Sequence, residues 1–153
     1  MNIESLYHEI ILDHYKHPRN KGRLPDADLH REGFNPLCGD RIELYLRVVG
    51  EKILLARFDG AGCSISQASA SMLTEAVKGK SLDELRDLIQ AVTRMLRGET
   101  DGSDSKLGDL EALQGVSQFP VRVKCALLPW KLLEEILQDR KGSVSPSVPA
   151  AEG

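Results

Sequence analysis

Three cysteines and one aspartate carry the reactive chemistry of this sequence: Cys38, Asp40, Cys63 and Cys125. Cys38 and Asp40 lie in Asn35-Pro36-Leu37-Cys38-Gly39-Asp40, where Pro36 and Gly39 signal a turn at the mouth of a strand. Residues two apart on extended backbone point the same way, so both side chains can face one atom. Cys63 follows Gly60-Ala61-Gly62 and precedes an Ala/Ser-rich helical stretch, whose positive end favours a thiolate. Cys125 has Arg122 and Lys124 beside it, two cations that favour its thiolate as well. Three thiolates and one carboxylate form a four-ligand set that suits zinc, and thiolates suit iron–sulfur chemistry too. A hard oxygen among soft sulfurs points to a site that exchanges a ligand rather than a closed structural one. Each residue also has an ordinary alternative. Asp40 can cap a turn, Cys63 can pack a helix and Cys125 can fill a core. There is no Cys-x-x-Cys pair, so convergence of the four is an expectation from chemistry and not from spacing.

Other chemistries fit less well. Three cysteines make a poor disulfide framework, and a reducing compartment would keep them as thiols. A cysteine hydrolase needs a histidine base, yet His8, His14, His17 and His30 all precede Cys38. A deaminase-type zinc site needs His-x-Glu and Cys-x-x-Cys, and neither occurs. A zinc-stabilised module that only binds partners remains open; it predicts unfolding on chelation.

The chain that must position these residues has 153 of them, with 41% apolar and 28% charged, as expected of a single globular domain. A net charge of -3 gives no general affinity for nucleic acid or anionic membrane. No apolar run is long enough for a membrane span, and Glu4, His8 and Glu9 interrupt the N-terminus as a signal peptide would not allow, so the cytoplasm is expected.

Periodicity predicts a helix over 3–16, with Ile3, Leu6, Tyr7, Ile10, Ile11 and His14 near one face, ended by Pro18. Residues 17–33 read as loop. Ile42, Leu44, Leu46 and Val48 alternate with polar neighbours, which predicts a strand. Gly50-Glu51-Lys52 predicts a turn, and 53–58 the return strand. A third strand is expected around Phe34, and 59–63 reads as a tight turn. Helices are expected over 66–78 with Gly79 as stop, over 81–97 from the capping box Ser81-Leu82-Asp83-Glu84, over 107–113, and over 121–140 with Pro129 opening a fresh segment. Residues 98–106 read as exposed loop. Strands first and helices after predict an α+β domain over 1–140, with about three antiparallel strands against several helices. Residues 141–153, rich in Ser and Pro, read as a disordered tail.

Four ordered motifs carry a family resemblance. Tyr7-x-x-x-Ile11-x-Asp13-His14-Tyr15-x-x-Pro18-Arg19-Asn20, Asn35-Pro36-x-Cys38-Gly39-Asp40, Gly60-x-Gly62-Cys63-x-x-Ser66-x-Ala68-Ser69 and Lys124-Cys125 together resemble the IscU/NifU N-terminal family over most of the chain. Lys124 stands where IscU proteins have His. Phe119-Pro120-Val121-Arg122-Val123 replaces their chaperone-read Leu-Pro-Pro-Val-Lys, and the polar stretch 98–117 resembles an insertion. These departures are similar to the SufU-type branch. The resemblance implies a zinc-bound sulfur acceptor, a sulfurtransferase acting only with a SufS-type cysteine desulfurase and feeding downstream Suf assembly components. Cys38, on a loop beside Gly39, is then the expected acceptor. Arg122 is expected to offset the charge of the ligands, and Tyr7, His14, Pro18, Arg19 and Asn20 to shape a partner surface. The IscU side of the resemblance implies the alternative, a scaffold on which a [2Fe–2S] cluster is assembled with the same ligands.

Overall fold

The computed structural model describes residues 8–101, 103 and 105–141. The chain runs α1 (Glu9–Lys16), β1 (Leu29–Asn35), β2 (Asp40–Val49), β3 (Lys52–Ala61), α2 (Ser64–Val77), α3 (Leu82–Leu96), a 3-10 segment (Ser105–Gln118) and α4 (Pro120–Lys141). The three strands form one antiparallel sheet in the order β1-β2-β3. The expected α+β architecture is therefore present. Ile3, Leu6 and Tyr7, and the tail from Gly142 onward, lie outside the described residues.

The sheet has one face in the core. Ile42, Leu44 and Leu46 of β2 are fully buried, as alternation requires, and Ile53, Ala56 and Phe58 of β3 join them. Ile53 and Ala56 are three apart, not two. The register slips between Arg47 and Val48, so that Leu55 faces Arg47 while Ile53 faces Val48. The irregularity leaves Leu54 unpaired and 51% exposed while returning Ile53 to the core.

Helices α2 and α4 cover this face, and α3 and the 3-10 segment back them. Arg31 on β1 reaches Asp139 near the end of α4 at 2.8 Å, which sets the helix across the sheet. Ser69 of α2 donates to the Ala126 carbonyl of α4 at 2.6 Å, and the indole N–H of Trp130 lies 3.1 Å from Ser69 Oγ. Cys125 is thus gripped from its next residue on.

Four expectations change. Residues 29–33 are strand, not loop; Leu29 and Phe34 are the apolar members and fall on opposite faces, so no alternation announces β1. β3 continues through Gly60 and Ala61, which pair with Ile42 and Arg41. Pro129 lies inside a continuous α4 rather than starting a segment. The helix expected over 107–113 is present but longer, a 3-10 helix over Ser105–Gln118 kinked at Gly108, and Leu107, Leu110, Ala112, Leu113 and Val116 of the supposed polar insertion are buried. Each such large side chain contributes roughly 1.5–3 kcal/mol by leaving water. The helix expected over 3–16 is helical from Glu9, where the His8 side chain caps it by accepting the Ile10 N–H; elsewhere the boundaries agree closely, including the Ser81–Glu84 capping box. No helix among the described residues is long and apolar enough to cross a membrane.

Candidate metal centre

The site gathers at one end of the sheet, where three chain segments meet. The first is the β1–β2 hairpin turn. Asn35 pairs with Asp40, and Pro36-Leu37-Cys38-Gly39 bridges them, with Gly39 at a φ of 69°. The second is the exit from β3 into α2, where Cys63 occupies the helix N-cap. The third is the opening of α4, which carries Arg122 and Cys125.

Close approach of the first two segments depends on glycine. A side chain at Gly60, whose φ is 135°, would meet the Arg41 carbonyl oxygen at 1.9 Å. One at Gly62, with a φ of 153°, would meet Asp40 Oδ1 at 2.3 Å. Both positions require backbone that L side chains rarely adopt, and both lie where another chain segment fills the space.

Asp40 is buried at 1% exposure. Its Oδ1 accepts the Cys63 backbone N–H at 2.8 Å and the Ser66 hydroxyl at 3.0 Å. Its Oδ2 receives the Asn35 side-chain amide at 3.3 Å. Three donors on a buried carboxylate fix its aim. Cys125, fully buried, has its sulfur 2.8 Å from that of Cys38. Arg122 Nη1 lies 3.7 Å from Cys38 Sγ.

The thiols are electrically unequal. A hydrogen bond from Cys125 pulls the Cys63 thiol down to about 6, against burial and the Asp40 charge, with Ser66 adding to the downward pull. Cys125 moves the other way, because its proton is held between Cys63 and Cys38 and because it is buried. Burial works against the charge of Arg122, yet its bond to Cys125 and the three thiols together leave its pKa raised.

Of the residues expected to share a metal, Cys38, Asp40 and Cys125 offer ligand atoms all within 4.8 Å of one another. Cys63 stands outside that trio but adjoins it, bonded to Asp40 through its backbone N–H at 2.8 Å. Two thiols and a carboxylate at this spacing, with a further thiol beside them, are a donor set that fits a thiophilic divalent ion. Lys124 is exposed and lines a groove of about 410 Å³ between the hairpin and α4, beside Leu37 and Lys131.

The residues of the opening motif occupy another junction, that of α1 with α2. His14 is buried and shares a hydrogen bond of 2.8 Å with Ser71. Arg19 donates its backbone N–H to the same hydroxyl at 2.8 Å and pairs with Asp13. Pro18 is half-buried there. Asn20, at a φ of 59°, bonds Thr74 at 3.1 Å, and its carbonyl accepts from Phe58 on β3. Asn35 and Ser66 belong to the site as firmly as the ligands do, although sequence reasoning assigned them no role. Each sits inside one of the motifs, which was the available signal.

The NifU-like N terminal domain family matches residues 6–126, well over half of the chain. The chain belongs to that family. Among its relatives, this NifU-like protein is 46% identical over 144 residues to the zinc-dependent sulfurtransferase SufU of Bacillus subtilis strain 168, covering 92% of this chain and 95% of the relative. It is 40% identical over 138 residues to the iron–sulfur cluster assembly scaffold protein IscU of Thermotoga maritima, covering 90% and 96%. The crystal structure of FiSufU from the thermophile Fervidobacterium islandicum AW-1 superposes with a TM-score of 0.83 at 36% identity, covering 89% of this NifU-like chain and 99% of the other.

Proposed function

We propose that this protein acts in iron–sulfur cluster biogenesis as a zinc-dependent sulfurtransferase in the cytoplasm. It takes persulfide sulfur from a SufS-type cysteine desulfurase and hands it to downstream Suf assembly components. The observation that carries this reading is the convergence of Cys38, Asp40 and Cys125 within 4.8 Å, with the Cys63 backbone N–H on Asp40 Oδ1 at 2.8 Å. Cys38, Asp40, Cys63 and Cys125 would hold the zinc. The similarity to the B. subtilis zinc-dependent sulfurtransferase supports the same choice of metal and reaction. Zinc, when bound, keeps thiols deprotonated near neutral pH while lowering their nucleophilicity.

Cys38 is the acceptor. It sits on a hairpin turn, partly exposed, beside Gly39 and the 64%-exposed Leu37, where a partner can reach it. Its sulfur attacks the outer sulfur of the donor persulfide. A bond forms between Cys38 Sγ and that sulfur, the donor's S–S bond breaks, and the donor cysteine leaves as a thiolate. Arg122, 3.7 Å away, offsets the negative charge that stays on the transferred sulfur. Pro18, Arg19 and Asn20, set against α2 with the buried His14 beneath, and Tyr7 at the start of the motif would contribute to the partner surface.

Mass spectrometry after incubation with desulfurase and cysteine tests the assignment. Wild-type protein should gain one sulfur on Cys38. Cys38→Ala should gain none and fail to stimulate the desulfurase, while Cys63→Ala and Cys125→Ala should lose metal as well. Normal sulfur uptake by Cys38→Ala would refute it.

A second reading, a scaffold for a [2Fe–2S] cluster, is favoured by the similarity to the T. maritima scaffold IscU. Brown protein with visible absorbance supports that reading, and colourless protein with stoichiometric zinc supports the first.

A further inference from the structure

Asn35 is only 7% exposed, and its bonds go in two directions. Its Oδ1 accepts the Leu37 backbone N–H at 3.3 Å, and its backbone carbonyl accepts the Cys38 N–H at 3.3 Å. That half is ordinary for an asparagine opening a turn. The other half is not needed by any turn. Its Nδ2 donates to Asp40 Oδ2 at 3.3 Å and to Cys125 Sγ at 3.4 Å, the latter lying 90 residues along the chain. One amide therefore spans a carboxylate at the head of β2 and a thiol on α4, while its acceptor side holds the turn that carries Cys38. The opposite oxygen of Asp40 is already taken by Cys63 and Ser66, so the carboxylate is pinned from both sides.

We infer that Asn35 is a positioning residue of the metal centre: its side-chain amide fixes Asp40 and Cys125 relative to each other and to the Cys38 turn. Donation to a ligand's lone pairs draws off charge and settles which lone pair faces the metal, so outer partners of this kind alter metal affinity by about 10–100-fold. The inference rests on reading the site as a metal centre and adds the residue that sets how firmly Asp40 and Cys125 engage.

Asn35→Asp separates the two halves. It keeps the acceptor for Leu37 and removes the donor to Asp40 and Cys125. Asn35→Ala removes both. Cobalt(II) added to the metal-free proteins reports geometry through its ligand-field and thiolate charge-transfer bands, and zinc competition then gives affinity. Amide hydrogen exchange at Leu37 reads the turn. Asn35→Asp should bind at least about tenfold more weakly with shifted cobalt bands, and keep Leu37 protected. Asn35→Ala should lose affinity and Leu37 protection together. Wild-type affinity and spectrum in a folded Asn35→Asp protein would overturn the inference. Where one variant fails to fold, the other carries the same comparison. A wild-type chain that takes up no cobalt or zinc would instead sink the metal reading. The inference, which rests on that reading, would fall with it.

Discussion

At the scale of single residues, the site is held by close contacts between separate chain segments. Gly62 is the sharpest case, since an added side chain would fall 2.3 Å from Asp40 Oδ1. Gly62→Ala should therefore push Asp40 aside and strain the backbone at a cost on the order of 1–3 kcal/mol. Urea unfolding and zinc affinity measured on the same protein check this; unchanged values in both would mean the exit of β3 can shift freely. Ser66→Ala should have a smaller, purely local effect. It removes one of two donors to Asp40 Oδ1 and should weaken zinc retention while Asn35 still holds the other oxygen. A competition assay with a chromophoric chelator reads it. The cysteines and Asp40 were legible because thiols and a carboxylate beside turn residues are rare and chemically loud. Asn35 and Ser66 were not, because amides and hydroxyls are commonplace. What makes them matter is contact across 90 and 26 residues of chain, which no local pattern encodes.

At the scale of elements, legibility followed periodicity. β2 alternates and α3 opens on a capping box, and both stand where their patterns put them. Ser81→Ala should cost about 1 kcal/mol by leaving the Glu84 backbone N–H without its hydroxyl acceptor, while the Glu84 carboxylate keeps the backbone N–H of residue 81. A lower urea midpoint with unchanged metal content confirms it. β1 had no such pattern; pairing with β2 makes it a strand. The junction of α1 and α2 has its own pH signature. Burial, and after it the Arg19 charge, lowers the pKa of His14 below the ordinary value of 6.5, so the fold favours the neutral ring. The sign follows by linkage: this contribution to stability is whole above 6.5 and is lost as pH falls from there through the folded-state value. Unfolding midpoints across that window should drop with acid, and His14→Gln should flatten the slope. An equally steep slope in the variant would assign it to other groups.

At the scale of the whole molecule, the core extends far beyond the metal centre, which it meets at Cys125. The core runs from the inner face of the sheet through α2, α3 and α4 and includes the 3-10 segment. Chelation should therefore leave far-ultraviolet circular dichroism almost unchanged and lower the melting temperature through lost binding energy alone. Collapse of helical signal on chelation would return the protein to the class of zinc-stabilised interaction modules. The burial of Leu107, Leu110, Leu113 and Val116 also means that deleting the segment as a dispensable loop should unfold the domain. The contacts of Trp130 have an experimental use. It is the only tryptophan, fully buried, and its indole shares Ser69 Oγ with the carbonyl of the residue after Cys125. The protein thus contains a native fluorophore wired to the backbone of its reactive centre. Its emission should therefore change on ion loading and sulfur arrival, read in real time with an ordinary stopped-flow instrument, and a constant signal would show that neither event reaches this contact.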